Sequence, residues 1–292
     1  MKVLLTGADG QLGRSLQARR PPHWSLHAMT HAQLDITDQA ALAAAIGALQ
    51  PALVINAAAY TAVDEAERHP ELAYAVNHRG AAHLAQAACA AGARLVHLST
   101  DYVFDGSADR PYEEGDEARP INVYGASKRS GELAVLQAHP GACVLRTSGV
   151  YSEYGRNFAK TMLRLAARGN AEPLRVVNDQ RCCPTYAGDL ARAVIALAEG
   201  HGCQGIYHYC GATALSWHAF AQLIFLTAHQ LVPGMPIPPL QAIASRDYPG
   251  AAARPANSVL ACGRIEALGV RRPELPASLT AALRVIIPSG CC

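Results

Sequence analysis

Tyr124-Gly125-Ala126-Ser127-Lys128 places a phenol and an ammonium four residues apart. On a helix the two share a face, so both can project into one site. A free phenol holds its proton to about pH 10, and a neighbouring ammonium favours the phenolate and lowers that value. The pair suits proton exchange with a substrate oxygen. A second pattern, Gly7-Ala8-Asp9-Gly10-Gln11-Leu12-Gly13, follows a short apolar run. Its glycines allow a tight turn and a close approach of backbone to a pyrophosphate, and the helix they open points its N-terminus at the negative charge. The spacing is Gly-x-x-Gly-x-x-Gly rather than the standard Gly-x-Gly-x-x-Gly. A third, Ser99-Thr100-Asp101-Tyr102-Val103-Phe104, puts hydroxyls at the end of a β-branched and apolar run. Such a hydroxyl can hydrogen-bond a substrate carbonyl and help polarise it. Ser99 and Thr100 point to opposite faces if the strand continues, so one of them should meet the site. Taken singly, each pattern also has an ordinary reading: a surface pair, a glycine turn, a strand-end cap.

These residues need elements to hold them. Strands are predicted at Lys2–Thr6, Ser25–Met29, Ala52–Asn56, Arg94–Leu98 and Ala142–Thr147. Helices are predicted between them at Gln11–Arg20, Asp38–Leu49 with Asp38 as N-cap, Glu71–Ala91 and Asn122–Gln137. Strand and helix in alternation specify an α/β fold, a Rossmann-type doubly wound parallel sheet. The second half is less regular. Helices are expected at Asn157–Ala167, Tyr186–Glu199, Trp217–Leu231 and Leu275–Val285, with short strands at Arg175–Val177 and Ile206–His208 and a proline-rich stretch from Pro233 to Pro239. The organisation expected is a dinucleotide-binding domain over 1–150, to which the chain returns around 185–200. A smaller, mainly substrate-binding lobe then occupies 151–292.

Composition narrows the partners. In 292 residues, 25 Lys and Arg against 23 Asp and Glu leave a formal charge of +2, and half the chain is apolar. That supplies a sizeable core and gives no electrostatic case for nucleic acid or an anionic membrane. No apolar run approaches the roughly 20 residues a spanning helix needs, and the N-terminal run is too short for a signal peptide. A cytoplasmic protein is expected. The nine cysteines include no Cys-x-x-Cys, and the neighbours Cys182-Cys183 and Cys291-Cys292 lack zinc spacing. Reduced thiols are the expectation, with no metal.

The three chemical patterns occur in the order found in extended short-chain dehydrogenases/reductases. The chain further resembles the dTDP-4-dehydrorhamnose reductases at Gly10-Gln11-Leu12-Gly13, Asn56 to Asp64, Ser99 to Gly106, Asn122-Val123-Tyr124-Gly125 and Arg146-Thr147-Ser148. Asn157 to Met162, Asn178-Asp179-Gln180, Pro184-Thr185 and Ala253-Arg254-Pro255 extend the likeness nearly end to end. The resemblance implies reduction of the C4 ketone of dTDP-4-dehydro-L-rhamnose by NADPH, with NADH also possible. It makes Tyr124 the acid, Lys128 its modulator and ribose ligand, and Thr100 the third member. Gly7, Gly10, Gln11, Leu12, Gly13, Asp35, Ile36, Ala58, Ala59 and Tyr60 would hold the cofactor. Thr100, Asp101, Val103, Gly149, Asn157, Phe158 and Arg254 would meet the dTDP-sugar, Arg254 through a fork suited to its diphosphate. A reductase of another nucleotide-linked 4-keto-6-deoxy sugar is the alternative, and a non-catalytic dinucleotide-binding subunit a more distant one.

Three departures from the family pattern are visible. Gly149 stands where an aromatic is usual, so a wall of the sugar site is absent or filled by Tyr151 or Tyr154. The Cys182-Cys183 region occupies the usual glycine before Pro184-Thr185. Ser15 replaces a glutamate associated with a metal-bridged dimer, so a homodimer is expected only without that bridge. After the second strand, Met29-Thr30-His31 offers neither an acid for a ribose 2′-hydroxyl nor an arginine for a 2′-phosphate. Both cofactors should therefore work, with NADPH modestly preferred.

Overall fold

The computed structural model describes residues 1–168, 172–200 and 203–288. Cys291 and Cys292 lie outside them. Six strands form a parallel sheet. Five are β1 (Lys2–Thr6), β2 (Ser25–Met29), β3 (Leu53–Asn56), β4 (Arg94–Thr100) and β5 (Cys143–Thr147). From one edge the order is Gly205–His208, β5, β4, β3, β1, β2. The strands are apolar without alternation because both faces are covered. Val3, Leu5, Leu53, Ile55, Val96 and Leu145 pack on one side, against the helices Gln11–Arg19 and Ala187–Glu199. Leu4, Val54, Leu95 and Val144 pack on the other, where Gln39–Leu49, Ala81–Ala90 and Val123–Ala138 lie.

β2 lies on one side of β1 and β3 on the other, so the chain changes direction of winding at β1. In such sheets the crevice beyond the carboxyl ends at this point is the ligand site. Here it falls at the glycine turn. A third core cluster stands apart from the sheet. It is built from Phe158–Ala167, Trp217–Leu231 and Leu275–Ile286, with Leu163, Phe220, Ile224, Leu279 and Leu283 buried among them. Ala187–Glu199 and Gly205–His208 come from the same half of the sequence, yet they pack on Gln11–Arg19 and pair with β5 respectively.

Two differences from the expected elements bear on the site. The segment read as one helix over Glu71–Ala91 is α-helical at Pro70–Tyr74, widens to a π-helix over Ala75–Gly80, and resumes over Ala81–Ala90. The widening falls where the weaker helix formers Val76, Asn77, His78 and Gly80 interrupt the strong ones, and Asn77 is buried within it. The strand expected to stop at Leu98 continues through Thr100. The short strand Leu240–Ile243, which follows the proline-rich stretch and pairs with Leu174–Val177, was not expected. No described helix is long and apolar enough to cross a membrane.

Candidate active site

The glycine turn is shaped by what surrounds it. Gly7 has φ +72°, and a Cβ there would lie 2.6 Å from the backbone of Ala57 and Ala58. A Cβ on Gly13 would lie 2.2 Å from the Gly7 carbonyl oxygen, so only glycine lets the first turn of Gln11–Arg19 sit against β1. Beyond the turn opens a cavity of about 280 Å³ lined by Gly7, Gly10, His31, Asp35, Ile36, Ala58, Ala59, Tyr60 and Val76. A polar chain joins the ends of β1 and β3 to the middle of β4. The Thr6 hydroxyl donates to Asn56 Oδ1 (2.9 Å), which also accepts from Ala58 N–H (3.1 Å), while Asn56 Nδ2 donates to His97 Nδ1 (3.0 Å). Burial, aided by the Lys128 charge, holds His97 well below its usual value and hence neutral. Asp35 accepts from both N–H and hydroxyl of Thr37 at 2.9 Å, and the N–H bond leads in lowering its pKa. The cavity follows the backbone at the switch point and opens over the helix N-terminus, a shape that fits an extended dinucleotide.

Asn122 caps the Val123–Ala138 helix by accepting Gly125 N–H at 2.7 Å. One turn in, Tyr124 and Lys128 share the face turned to the end of β4. The Lys128 ammonium donates to the Leu98 carbonyl at 2.6 Å. Burial lowers its pKa to about 8. Burial likewise pushes the Tyr124 phenol up to about 12, with the Thr100 hydroxyl pulling the other way. The sequence suggested the reverse balance, in which the ammonium lowers the phenol. In the fold, Lys128 is spent on a backbone carbonyl and desolvation prevails. Thr100 is the hydroxyl that meets Tyr124, whereas Ser99 is directed at the buried Glu132. The Thr100 hydroxyl donates to Asp101 Oδ1 (3.0 Å), and Ser148 donates to Oδ2 (2.7 Å). Burial raises the Asp101 carboxyl, against these bonds.

A second cavity, of about 380 Å³, is lined by Tyr102, Phe158, Thr161, Met162, Arg175, Val177, Gln180, Trp217, Tyr248 and Arg254. Phe158 packs against Trp217 with ring centroids 4.8 Å apart and stacks on Phe220 at 5.6 Å. Arg254 pairs with Asp64 at 2.7 Å and lies over the Tyr248 ring. Aromatic walls with two guanidiniums suit a base joined to a diphosphate. Tyr102 connects the regions, lining this cavity while its ring meets Tyr124 edge-on at 6.0 Å.

The structure does not bring every expected residue to a cavity. Leu12 and Val103 belong to the core, so their side chains are turned from both. Gln11 accepts from Ser152 Oγ (2.8 Å) and Asn157 Nδ2 (3.1 Å). Asn157 also caps its own helix through Lys160 N–H and donates to the Ser152 carbonyl. Both amides are thus committed to joining the two halves of the chain. Gly149 has φ +54°, and a Cβ on it would face Pro184 at 3.3 Å and Cys182 Sγ at 3.6 Å. Tyr151 does not fill the space an aromatic would take, because its ring is buried against Tyr186 and Phe220. Ser15 is buried within the molecule, on the helix that packs against Ala187–Glu199. The seven described cysteines are free thiols.

Sequence reasoning missed Asn77, Arg175 and Trp217. Asn77 accepts Tyr60 N–H (2.8 Å) and donates to the Tyr60 carbonyl and to Ser127 Oγ (both 3.0 Å), joining the first cavity to the Tyr124 helix. The available signal for Trp217 was its rarity, as one of two tryptophans in the chain. For Asn77 the signal was the cluster of weak helix formers from Val76 to Gly80, and Arg175 had none.

A switch-point dinucleotide cavity beside a partly buried tyrosine and its buried lysine defines a Rossmann-type oxidoreductase. The chain belongs to the family described as RmlD substrate binding domain, whose model matches residues 1–286. It is 43% identical over 280 residues to dTDP-4-dehydrorhamnose reductase of Aggregatibacter actinomycetemcomitans, covering 92% of this chain and 94% of that one. It is 42% identical over 277 residues to a probable dTDP-4,6-dihydroxy-2-methyloxan-3-one 4-ketoreductase of Streptomyces antibioticus, covering 92% and 90%. The crystal structure of dTDP-4-dehydrorhamnose reductase from Bacillus anthracis in complex with NADP superposes with a TM-score of 0.90 at 36% identity, covering 99% of each chain.

Proposed function

We infer that this chain is the NADPH-dependent reductase of dTDP-4-dehydro-L-rhamnose, reducing the C4 ketone to give dTDP-L-rhamnose. The observation that carries the reading is the position of Tyr124. It stands where the dinucleotide cavity and the aromatic, arginine-bearing cavity approach each other, joined to one through Asn77 and Ser127 and to the other through Tyr102. NADPH, when bound, supplies the hydride for the carbonyl carbon. Gly7, Gly10, Asp35, Ile36 and Ala58 to Tyr60 would hold it along the switch-point crevice, and Lys128, with two ammonium protons left beyond the Leu98 carbonyl, would serve its ribose. Gly13 keeps the turn closed behind it.

When the sugar binds, the Thr100 hydroxyl turns its one proton from Asp101 Oδ1 to the substrate carbonyl and orients it. Tyr124 then gives its phenolic proton to the developing alkoxide. A phenol with a pKa of about 12 is fully protonated at neutral pH and still acidic enough to protonate an alkoxide. Before the sugar binds, Asp101 holds the Thr100 hydroxyl in place. Phe158, Trp217 and Arg254 grip the nucleotide, with Arg254 on the diphosphate. Under this reading, 1–150 and the return at about 185–200 form the cofactor unit, and the remainder of 151–292 chiefly serves the dTDP-sugar. A cytoplasmic location agrees with the free thiols, and a homodimer without a metal bridge is the assembly that sedimentation would test.

The decisive experiment follows nicotinamide absorbance with dTDP-4-dehydro-L-rhamnose and either cofactor. Tyr124→Phe should lower kcat by about 10²-fold or more, with NADPH affinity unchanged. Near-wild-type turnover in that variant, or a strong preference for NADH, would contradict the assignments made here. The Streptomyces antibioticus relative favours one second reading, the same reduction on a different dTDP-linked 4-keto sugar. Comparing kcat/KM for the two sugars separates them.

A further inference from the structure

Asn122 lines neither cavity, yet its buried side chain makes two hydrogen bonds in opposite directions. Oδ1 accepts Gly125 N–H at 2.7 Å, closing the first turn of the helix that carries Tyr124. Nδ2 donates to the Ala253 carbonyl at 2.8 Å. The next residue is Arg254. Asp64 holds the same segment, accepting Ala252 N–H at 3.0 Å and Arg254 Nη2 at 2.7 Å. Arg254 therefore reaches the second cavity from a segment, 252–254, fastened to the half of the chain that carries Tyr124.

We propose that Asn122 is a positioning residue that ties the Arg254 segment to the Tyr124 helix. The grip on the substrate's diphosphate and the aim of the proton donor then depend on one side chain. The proposal rests on the reading of Arg254 as the diphosphate ligand. The chemistry calls for an amide. An N-cap needs only an acceptor, which Asp or Ser supplies as well. Only asparagine at this reach offers an acceptor to Gly125 and a donor to Ala253 together. Aspartate would keep the cap and turn an oxygen against the Ala253 carbonyl, leaving that carbonyl without its donor.

The experiment compares wild type with Asn122→Asp, Asn122→Ser and Arg254→Ala. It measures dTDP and NADPH binding separately by calorimetry, and KM and kcat with the dTDP-keto-sugar. Asn122→Ser also caps the helix but falls short of Ala253, so it guards against unfolding caused by the aspartate's repulsion. Both Asn122 variants should bind NADPH as wild type does and bind dTDP about tenfold more weakly, with KM rising in step and kcat falling severalfold. In an Arg254→Ala background, Asn122→Asp should weaken dTDP no further, because it acts through Arg254. If both variants match wild type in dTDP affinity and KM, Asn122 is only a helix cap and the proposal fails. Equal weakening with and without Arg254 overturns it too. Normal dTDP binding by Arg254→Ala would instead strike the reading of Arg254, and the proposal with it.

Discussion

Lys128 shows how one buried charge sets two opposite pH responses. Burial lowers its pKa to about 8 from 10.5 in the unfolded chain, so between those values the unfolded state holds more protons. Stability therefore rises with pH through that window, and the cost of burying the ammonium is full below about pH 8. Cofactor binding should run the other way. An ammonium is the stronger donor to ribose hydroxyls, so NADPH affinity should fall severalfold from about pH 7 to about pH 9. Calorimetric titration and thermal unfolding across that range check both trends. In Lys128→Met the pH dependence of NADPH binding should flatten and the affinity at pH 7 should drop. The Tyr124–Lys128 pair itself was legible in the sequence because i and i+4 is a local relation on any helix. Its electrostatics were not, because the Leu98 carbonyl that takes the ammonium comes from another element.

The Val123–Ala138 helix is anchored by more than its cap. Glu132 lies wholly buried and pairs with Arg146 of β5, Nε to Oε1 at 2.8 Å and Nη2 to Oε2 at 2.7 Å, while Arg129 reaches Oε2 at 3.0 Å. Burial alone would raise the carboxyl, and the Arg146 bonds and charge more than offset it, leaving the pKa lowered. This contribution to stability is full above the unfolded value of about 4.5 and is lost as pH falls through the lower folded value. Arg146→Leu strands most of that charge and should cost about 3–5 kcal/mol at pH 7. Without Arg146, burial becomes the leading influence on Glu132, so the variant's deficit should shrink as pH falls toward 5, where protonation relieves it. Urea midpoints at the two pH values measure this. The pairing of helix and strand could not be read from the sequence. Residues 132 and 146 meet only because β4 and β5 are neighbours under that helix.

At the scale of the whole molecule, two cavities built from different parts of the chain should respond separately to mutation. Phe158→Ala removes an aromatic wall of the second cavity and should weaken dTDP about tenfold or more. NADPH affinity should stay within about twofold, because Phe158 lines only that second cavity. Isothermal titration with each ligand alone tests this, and equal loss of both would show that the cavities are one site. Gly149 calls for a different expectation from its place in the family pattern. Its φ of +54° strains any L side chain, so Gly149→Trp should lose stability before it changes sugar selectivity.

Residue order alone determined the alternating framework, the glycine turn on β1, the helix carrying Tyr124 and Lys128, and the hydroxyls at the end of β4. Each of these follows from local periodicity, capping or turn chemistry, and one parallel sheet satisfies them all. Other features were decided only in three dimensions. Asp64 meets Arg254 across most of the chain, and Arg146 of β5 meets Glu132 of the preceding helix. Asn77, within the π-helical turn, meets Tyr60 and Ser127 from other elements. The second cavity gathers Tyr102, Phe158, Arg175, Trp217 and Arg254 from five separate segments. No local pattern encodes such meetings, because they arise when helices and loops from distant parts of the chain pack together, on the sheet and in the cluster apart from it. The depth of that packing also decides which groups lose water, and hence why Tyr124 keeps its proton while Lys128 holds its own less firmly.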